Sequence, residues 1–549
     1  MKKFLFALSL FINVSIIAQD KTTWPESLIL TPERSAFEKT STHADMMQFI
    51  NSIKTMSPYI KVTSLGKSSA GKDIPLIVLS KKGISTPAEA KALGKPVVYV
   101  QGNIHGGEVE GKEVVMMLMR DILLGKLGYL LDNQVILFVP MYNTDGNDKM
   151  AKGLRPTQEN SPLETGEREN GQGLDLNRDG IKMEAPETDG LMEVISSWDP
   201  QMSVDLHTTN GTWHAFSLTW APSYLYAGEP ATSRYTNDVM LASITAKSKE
   251  KYGLLIGPYG DYNMREGWPV KNFYTYNHHP RYIINQFGLR NRMAILSESF
   301  AHERFYQRIH STYAFTFEIL DYCNRHGREI MKINHDAETA AVRNVLDNAG
   351  KAKKGVRFKM VPAKKKLNNF PTYDYNSFTK SDGTTTLLRT GRVVHYDSIT
   401  YFGEFKDTVQ STVPRGYIIP AAFAQVAEVL KSHGAKVQVM DHDETFAGEV
   451  FAIDKFTRAP RKFEGHLMAS AEGKFEPATR SFHKGDFKVD MAQPLTNLIF
   501  YMLEPQSDDG LLVWNFFDSY LDDKQVSTHP VEYPIFKYFP AQLINRARK

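Results

Sequence analysis

Short apolar runs and longer stretches of helical period take turns along the first two thirds of the chain. Residues 59–65 and 74–80 read as two strands joined around Ser69-Ala70-Gly71-Lys72, a hairpin signal. Residues 96–101 form a short apolar run of the buried-strand type, and 134–139, 202–207 and 293–297 repeat it. Between them, apolar positions of helical spacing predict helices over 111–127, 237–252 and 303–330. A polar lead-in with one short helix occupies 22–58. Strands alternating with helices predict an α/β domain with a mixed, mostly parallel central sheet flanked by helices.

That pattern ends near residue 350, where Gly350-Lys-Ala-Lys-Lys-Gly355 reads as a linker. Beyond it, 393–402 and 436–440 suggest strands. An amphipathic helix is expected over 421–433, stopped by Gly434, and a shorter one over 494–503. The boundaries expected are therefore 22–350 for the first domain and 356–549 for a smaller α+β domain. Asp441-His442-Asp443-Glu444 stands out in the latter. Adjacent residues on one loop rarely converge on one ion, so a solvated turn is expected there.

Composition narrows the function classes. The chain has 549 residues, enough for two to four domains by the usual domain size. A formal charge of +3 leaves neither a basic stripe for nucleic acid nor an acidic tail. Lys2-Lys3, the mostly apolar run 4–17 and Ala18 have the three-part form of a signal peptide over 1–18, which implies a secreted or periplasmic protein. No later segment reads as a transmembrane helix. The single cysteine, Cys323, cannot form an internal disulfide and sits in a helix-interior pattern.

The candidate chemistry gathers at strand ends, where open α/β sheets bind their ligands. His105-Gly106-Gly107-Glu108 follows the strand that ends at Gln101. An imidazole and a carboxylate three residues apart on a tight turn can face one cation. Val204-Asp205-Leu206-His207 ends another buried-type strand in a second histidine. Three such ligands leave the open fourth position that a catalytic zinc needs. Between them, Asn143-Thr-Asp-Gly146 and the loop from Arg168 to Arg178, R-E-N-G-Q-G-L-D-L-N-R, offer arginines and an asparagine suited to a carboxylate or an oxyanion. Met293-Ala-Ile-Leu-Ser-Glu298 puts a carboxylate at the end of an apolar strand. A buried glutamate should face something polar, and beside a metal it can serve as general base.

This ordered set resembles the carboxypeptidase A-type zinc metallocarboxypeptidases: H-x-x-E, R-x-N-x-x-G-x-D-L-N-R, a strand-end D-L-H and I-L-S-E, preceded by a G-K-S-x-x-G-K hairpin. The resemblance covers roughly residues 45–330. It implies a carboxypeptidase-like fold over 22–350 and one zinc per chain on His105, Glu108 and His207. It implies Glu298 as general base and acid, Arg168 as holder of the oxyanion, and Asn177 with Arg178 as the grip on a terminal carboxylate. The family's mobile tyrosine falls among Tyr274, Tyr276 and Tyr282, with Tyr276 preferred by its distance from Glu298. Arg281, Arg290 and Arg292 either shape the side-chain pocket or pair with acidic neighbours. The implied reaction is hydrolysis of a peptide or isopeptide bond next to a free C-terminal carboxylate. A deacylase or amidase of small acyl amino acids or cell-wall peptides is the enzymatic alternative, and a non-catalytic binding protein of the same fold is the alternative of another class. Oligomeric state and the role of 356–549 stay open.

Overall fold

The computed structural model describes residues 24–224, 226–526 and 528–540. The signal-peptide reading of 1–18 lies outside the described residues.

An eight-stranded mixed sheet organises the N-terminal part. Its strands are β1 (Ile60–Lys67), β2 (Asp73–Leu79), β3 (Val97–Gly102), β4 (Val135–Val139), β5 (Met202–Thr208), β6 (Leu218–Pro222), β7 (Ile256–Pro258) and β8 (Met293–Ser299). Their spatial order is β1-β2-β4-β3-β5-β8-β6-β7. The central block β4-β3-β5-β8 is parallel throughout. The hairpin β1–β2 joins one side of it antiparallel, and β6 joins the other. Every residue of β3, β4, β5 and β8 is buried, the consequence of helices covering both faces.

The alternation along each strand sorts the two faces. Val98, Val100, Val204 and Ile295 pack against helix α1 (Glu110–Leu123) and the long helix α4 (Phe305–Asn348). Val97, Tyr99, Ala294 and Leu296 pack against α2 (Pro186–Trp198) and α3 (Ile283–Leu289). Cys323 lies in the first of these cores, where burial pushes its thiol up and keeps it neutral. Helix α1 is buried almost all round, so its charged residues carry partners. Glu113 accepts bonds from Thr40 and Ser41, and Arg120 pairs with Glu33 at 2.7 Å.

Helix α4 has 44 residues and does not stop near 330 as the sequence pattern suggested. Its second half turns Ala337, Ala341 and Val345 inward, and Val345 joins the C-terminal core. The helix therefore bridges both halves of the molecule. Nor is 350–355 a loose tether. From Lys353 the chain runs as a strand, Lys353–Val361, paired with Glu404–Thr412.

The C-terminal region is richer in strands than its sequence suggested. A seven-stranded sheet contains β9 (Gly416–Ile419), β10 (Gln438–Val439), β11 (Glu444–Arg458), β12 (Ala469–Phe482), β13 (Phe487–Asp490), β14 (Val531–Glu532) and β15 (Phe536–Tyr538). Helix α5 (Ala424–Ser432) falls where amphipathic spacing placed it, and α6 (Thr496–Leu503), buried at every position, falls within the short helix expected over 494–503. The long hairpin β11–β12 gave little sequence signal because Gly448, Gly473 and Pro477 interrupt it. The expected strand 393–402 is instead two strands, Thr385–Tyr396 and Thr400–Phe402, broken where Ser398 takes a φ of 62°. Among the described residues no helix is long and apolar enough to cross a membrane.

Candidate active site

The site forms at the carboxyl ends of β3, β5 and β8. The turn after β3 is held by Asn103, whose φ is 64° and whose Nδ2 donates to the carbonyls of His105, Gly106 and Glu108 at 3.1–3.2 Å. Glycine at 106 and 107 serves close packing here, not a left-handed backbone. A Cβ on Gly106 would sit 2.3 Å from the Gly146 carbonyl carbon, and one on Gly107 would sit 2.6 Å from the Gly166 oxygen. The Asn143 side chain stitches the same turn to the Arg168 loop, bonding the carbonyls of Ile104 and Arg168.

His105, Glu108 and His207 converge, each about 3 % exposed. Glu108 Oε1 lies 2.9 Å from His105 Nδ1, and its Oε2 lies 2.9 Å from His207 Nδ1. One ligand-type atom from each residue falls within 4.8 Å of the others. The far ring nitrogens are held by carboxylates, His105 Nε2 by Asp175 at 3.1 Å and His207 Nε2 by Asp205 at 2.9 Å. A carboxylate on the far nitrogen fixes the tautomer and aims the near lone pair at a metal. Two imidazoles and one carboxylate, buried and so oriented, suit zinc with a position left open.

Glu298 reaches this group through strand register. β8 pairs in parallel with β5, and Glu298 is the direct partner of His207, so both project from one face. Its Oε2 is buried and has no hydrogen-bond partner among the described residues. Burial, aided by Glu108 and opposed by His207, pushes its carboxyl up to about 8. Burial would also raise Glu108, but His105, Arg155 and His207 hold it well below the usual carboxylate range.

The arginine loop lies against the same group. Arg168 forks onto Asp175 through Nε at 2.9 Å and Nη2 at 2.8 Å, and its Nη1 lies 3.8 Å from Glu108. Arg178 lies over the Tyr282 ring at 4.6 Å and bonds the Asn177 carbonyl. Asn177 Oδ1 accepts the Ile283 amide at 3.0 Å, tying the loop to α3. Of the three tyrosines, Tyr274 bonds the exposed Glu266 and lies apart, while Tyr282 supports Arg178. Tyr276 bonds Asn285 at 3.1 Å; burial, then Tyr282 and Glu298, raise its phenol well above the ordinary value. Arg281, Arg290 and Arg292 are engaged elsewhere: with Asp509, with the His433 carbonyl, and with Asp199 and Glu338.

Three neighbours went unassigned in the sequence reading. Asp205 was legible, since it lies two residues before His207 on the same face of a buried strand and so needed a partner. Asp175, inside the D-L-N-R stretch, was legible only with the loop's path in hand. Arg155 had no signal. It comes from an irregular segment and puts Nη2 2.7 Å from Glu108 Oε1. A cavity of about 670 Å³ lined by Arg155, Thr157, Arg168 and Asn210 opens beside it. A larger one, about 870 Å³, lies at the opposite end of the strands, beside Val97 and Gln201, and has no part in this chemistry.

Residues 46–253 match the model of the zinc carboxypeptidase family. Those residues form a zinc carboxypeptidase domain. The cofactor of the family is zinc, which agrees with the donor set. The chain is 22 % identical over 505 residues to Carboxypeptidase 2 of Trichophyton tonsurans, covering 86 % of this chain and 81 % of the relative. It is 35 % identical over 130 residues to Carboxypeptidase Z of Mus musculus, covering 22 % of this chain and 18 % of that one. Among solved structures, the metallo-carboxypeptidase from Burkholderia cenocepacia aligns with a TM-score of 0.39 at 14 % identity, over 52 % of this chain and 70 % of its own. The family match ends before Tyr276 and Glu298. Glu298 comes to the group by the register of β8, and Tyr276 lies in the loop before α3.

Proposed function

We propose that this zinc metallocarboxypeptidase removes residues from peptides with a free C-terminal carboxylate, with His105, Glu108 and His207 holding the metal. The observation that carries the reading is Glu298, whose buried Oε2 has no hydrogen-bond partner among the described residues, in direct register with His207. Zinc, when bound, polarises the scissile carbonyl and acidifies water. Glu298 then takes the proton of the attacking water and returns it to the departing amine, which leaves poorly until protonated. Arg168, fixed on Asp175, offers the rest of its fork to the oxygen that gains charge. Asn177 and Arg178 bind the terminal carboxylate, and Tyr276 closes over the bound residue. A binding protein would have no use for a costly unpaired carboxyl at Glu298.

The decisive comparison sets a free-acid peptide against its C-terminal amide. Arg178→Ala should lower kcat/KM for the free acid by roughly two orders of magnitude, the scale expected when a buried charge partner is removed. It should change the slow cleavage of the amide little. Equal losses on both, or full-rate internal cleavage of the amide by the parent protein, would remove the exopeptidase reading.

The same proposal places the protein outside the cytoplasm. The support is the Lys2-Lys3 start and the apolar run that follows. N-terminal sequencing of the native protein should begin near Gln19. An intact Met1 on cytoplasmic protein would contradict export.

A further inference from the structure

A second set of metal-ligand side chains lies across the junction between the two halves of the molecule. His278 and His279 belong to the loop that precedes α3, and Asp508 follows α6 in the C-terminal region. One ligand-type atom from each falls within 4.8 Å of the others, as in the catalytic group. Asp508 Oδ2 is 3.1 Å from His278 Nε2 and 3.9 Å from His279 Nε2. A tetrahedral zinc with bonds of about 2.0–2.1 Å separates its ligand atoms by about 3.3 Å, a spacing those two distances bracket.

The surroundings prepare the three groups for a cation. Asp508 Oδ1 accepts the Tyr501 hydroxyl, and Oδ2 accepts the Phe358 amide at 2.9 Å, which orients the carboxylate and turns the other lone pair of Oδ2 toward His278 Nε2, its hydrogen-bond partner at 3.1 Å. The His278 ring is wedged between Phe358 at 4.8 Å and Phe405 at 5.0 Å. The His279 ring makes no hydrogen bond among the described residues, and burial, then Arg281, keep it neutral. The nearby positive charge of Arg281 is itself answered by Asp509 at 2.7 Å. His279 and Asp508 keep 18 % and 15 % side-chain exposure, enough for an ion to enter and a water to complete the shell.

We propose that His278, His279 and Asp508 form a second site for a divalent cation of the zinc class, distinct from the catalytic group. Two imidazoles and one carboxylate with a fourth position open to water favour a borderline metal over calcium or magnesium. The loop that supplies the histidines runs from Tyr276 to Tyr282, the ring beneath Arg178. An ion there clamps this loop to the C-terminal region. It gives that region a role in shaping the substrate side of the cleft without contributing a catalytic group.

The test is zinc stoichiometry on the full chain. The protein is stripped with chelator, dialysed against buffered micromolar zinc and analysed by mass spectrometry. Expected are two zinc per chain in the parent, one in His279→Ala, one in Asp508→Asn, one in His207→Ala and none in the His207/His279 double variant. His279→Ala removes a ring without hydrogen bonds, and Asn at 508 keeps the Phe358 amide bond through its carbonyl oxygen while its amide group donates to the Tyr501 oxygen, so both should fold. The thermal midpoint of the parent should rise on adding the second equivalent, and that of His279→Ala should not. A single equivalent lost in His207→Ala, or a second equivalent that survives in His279→Ala, overturns the second site. A single equivalent lost in His279→Ala but kept in His207→Ala would instead sustain this site and remove the catalytic triad.

Discussion

Glu298→Gln should retain zinc and substrate binding while kcat falls by roughly two to four orders of magnitude, the usual contribution of a positioned acid–base group. Glutamine keeps the size of the side chain and a hydrogen-bonding oxygen but cannot take a proton. The strand should not move, because both faces of β8 are packed. The parent enzyme should also show an acid limb that the variant lacks. Burial pushes the Glu298 carboxyl up to about 8 in the metal-free chain. A bound cation works in the opposite direction, so in the loaded enzyme the limb should fall below 8. Activity requires the ionised form and is lost as pH drops through that value. Normal turnover in a folded, zinc-loaded variant would remove Glu298 from the mechanism and direct attention to Glu303, a half-buried carboxyl also pushed up to about 7.

His207→Ala should lose the catalytic zinc and, with it, at least as much activity as Glu298→Gln loses. The residue does three things at once. It offers Nδ1 beside Glu108, holds Asp205 through Nε2, and stands in register with Glu298. Removing it leaves Asp205 and Glu108 as buried carboxylates short of a partner, so the thermal midpoint should fall as well. Proton release gives an independent check. Burial opposes the charged form of His207, but Asp205 and Glu108 outweigh burial and raise its pKa well above the ordinary value. The metal-free ring therefore favours its protonated form, and Glu298, pushed up to about 8, is mostly protonated at pH 7. A metal needs the neutral imidazole, so zinc uptake at pH 7 should expel one proton or more. Calorimetry in two buffers of different ionisation enthalpy measures that number. Zinc content equal to the parent's, or uptake without proton release, would contradict His207 as a ligand.

Much of the catalytic half was legible because its signals are local. A strand buried on both faces must be apolar at nearly every position, and β3, β4, β5 and β8 are marked that way. A polar residue ending such a run has to face a ligand or a partner, which singled out His207 and Glu298. The C-terminal region was read less well. Its longest strands, β11 and β12, carry breaks at Gly448, Gly473 and Pro477, and much of their length is exposed, so alternation holds only over short stretches such as 469–476.

The order of motifs, the strand ends and the chemical types of the site residues were determined by sequence alone, because each depends on neighbours within a few positions of the chain. Tertiary structure decided what depends on distant segments meeting. It put Glu298 beside His207 by parallel register between strands some ninety residues apart in sequence. It placed Asp175 behind His105, brought Arg155 onto Glu108, and carried Asp508 to His278 across 230 residues. It also engaged Arg281, Arg290 and Arg292 in packing and removed them from the cleft. The physical reason is the same in each case. A charge buried by folding must find its partner in space, and spacing along the chain does not specify which distant group that will be.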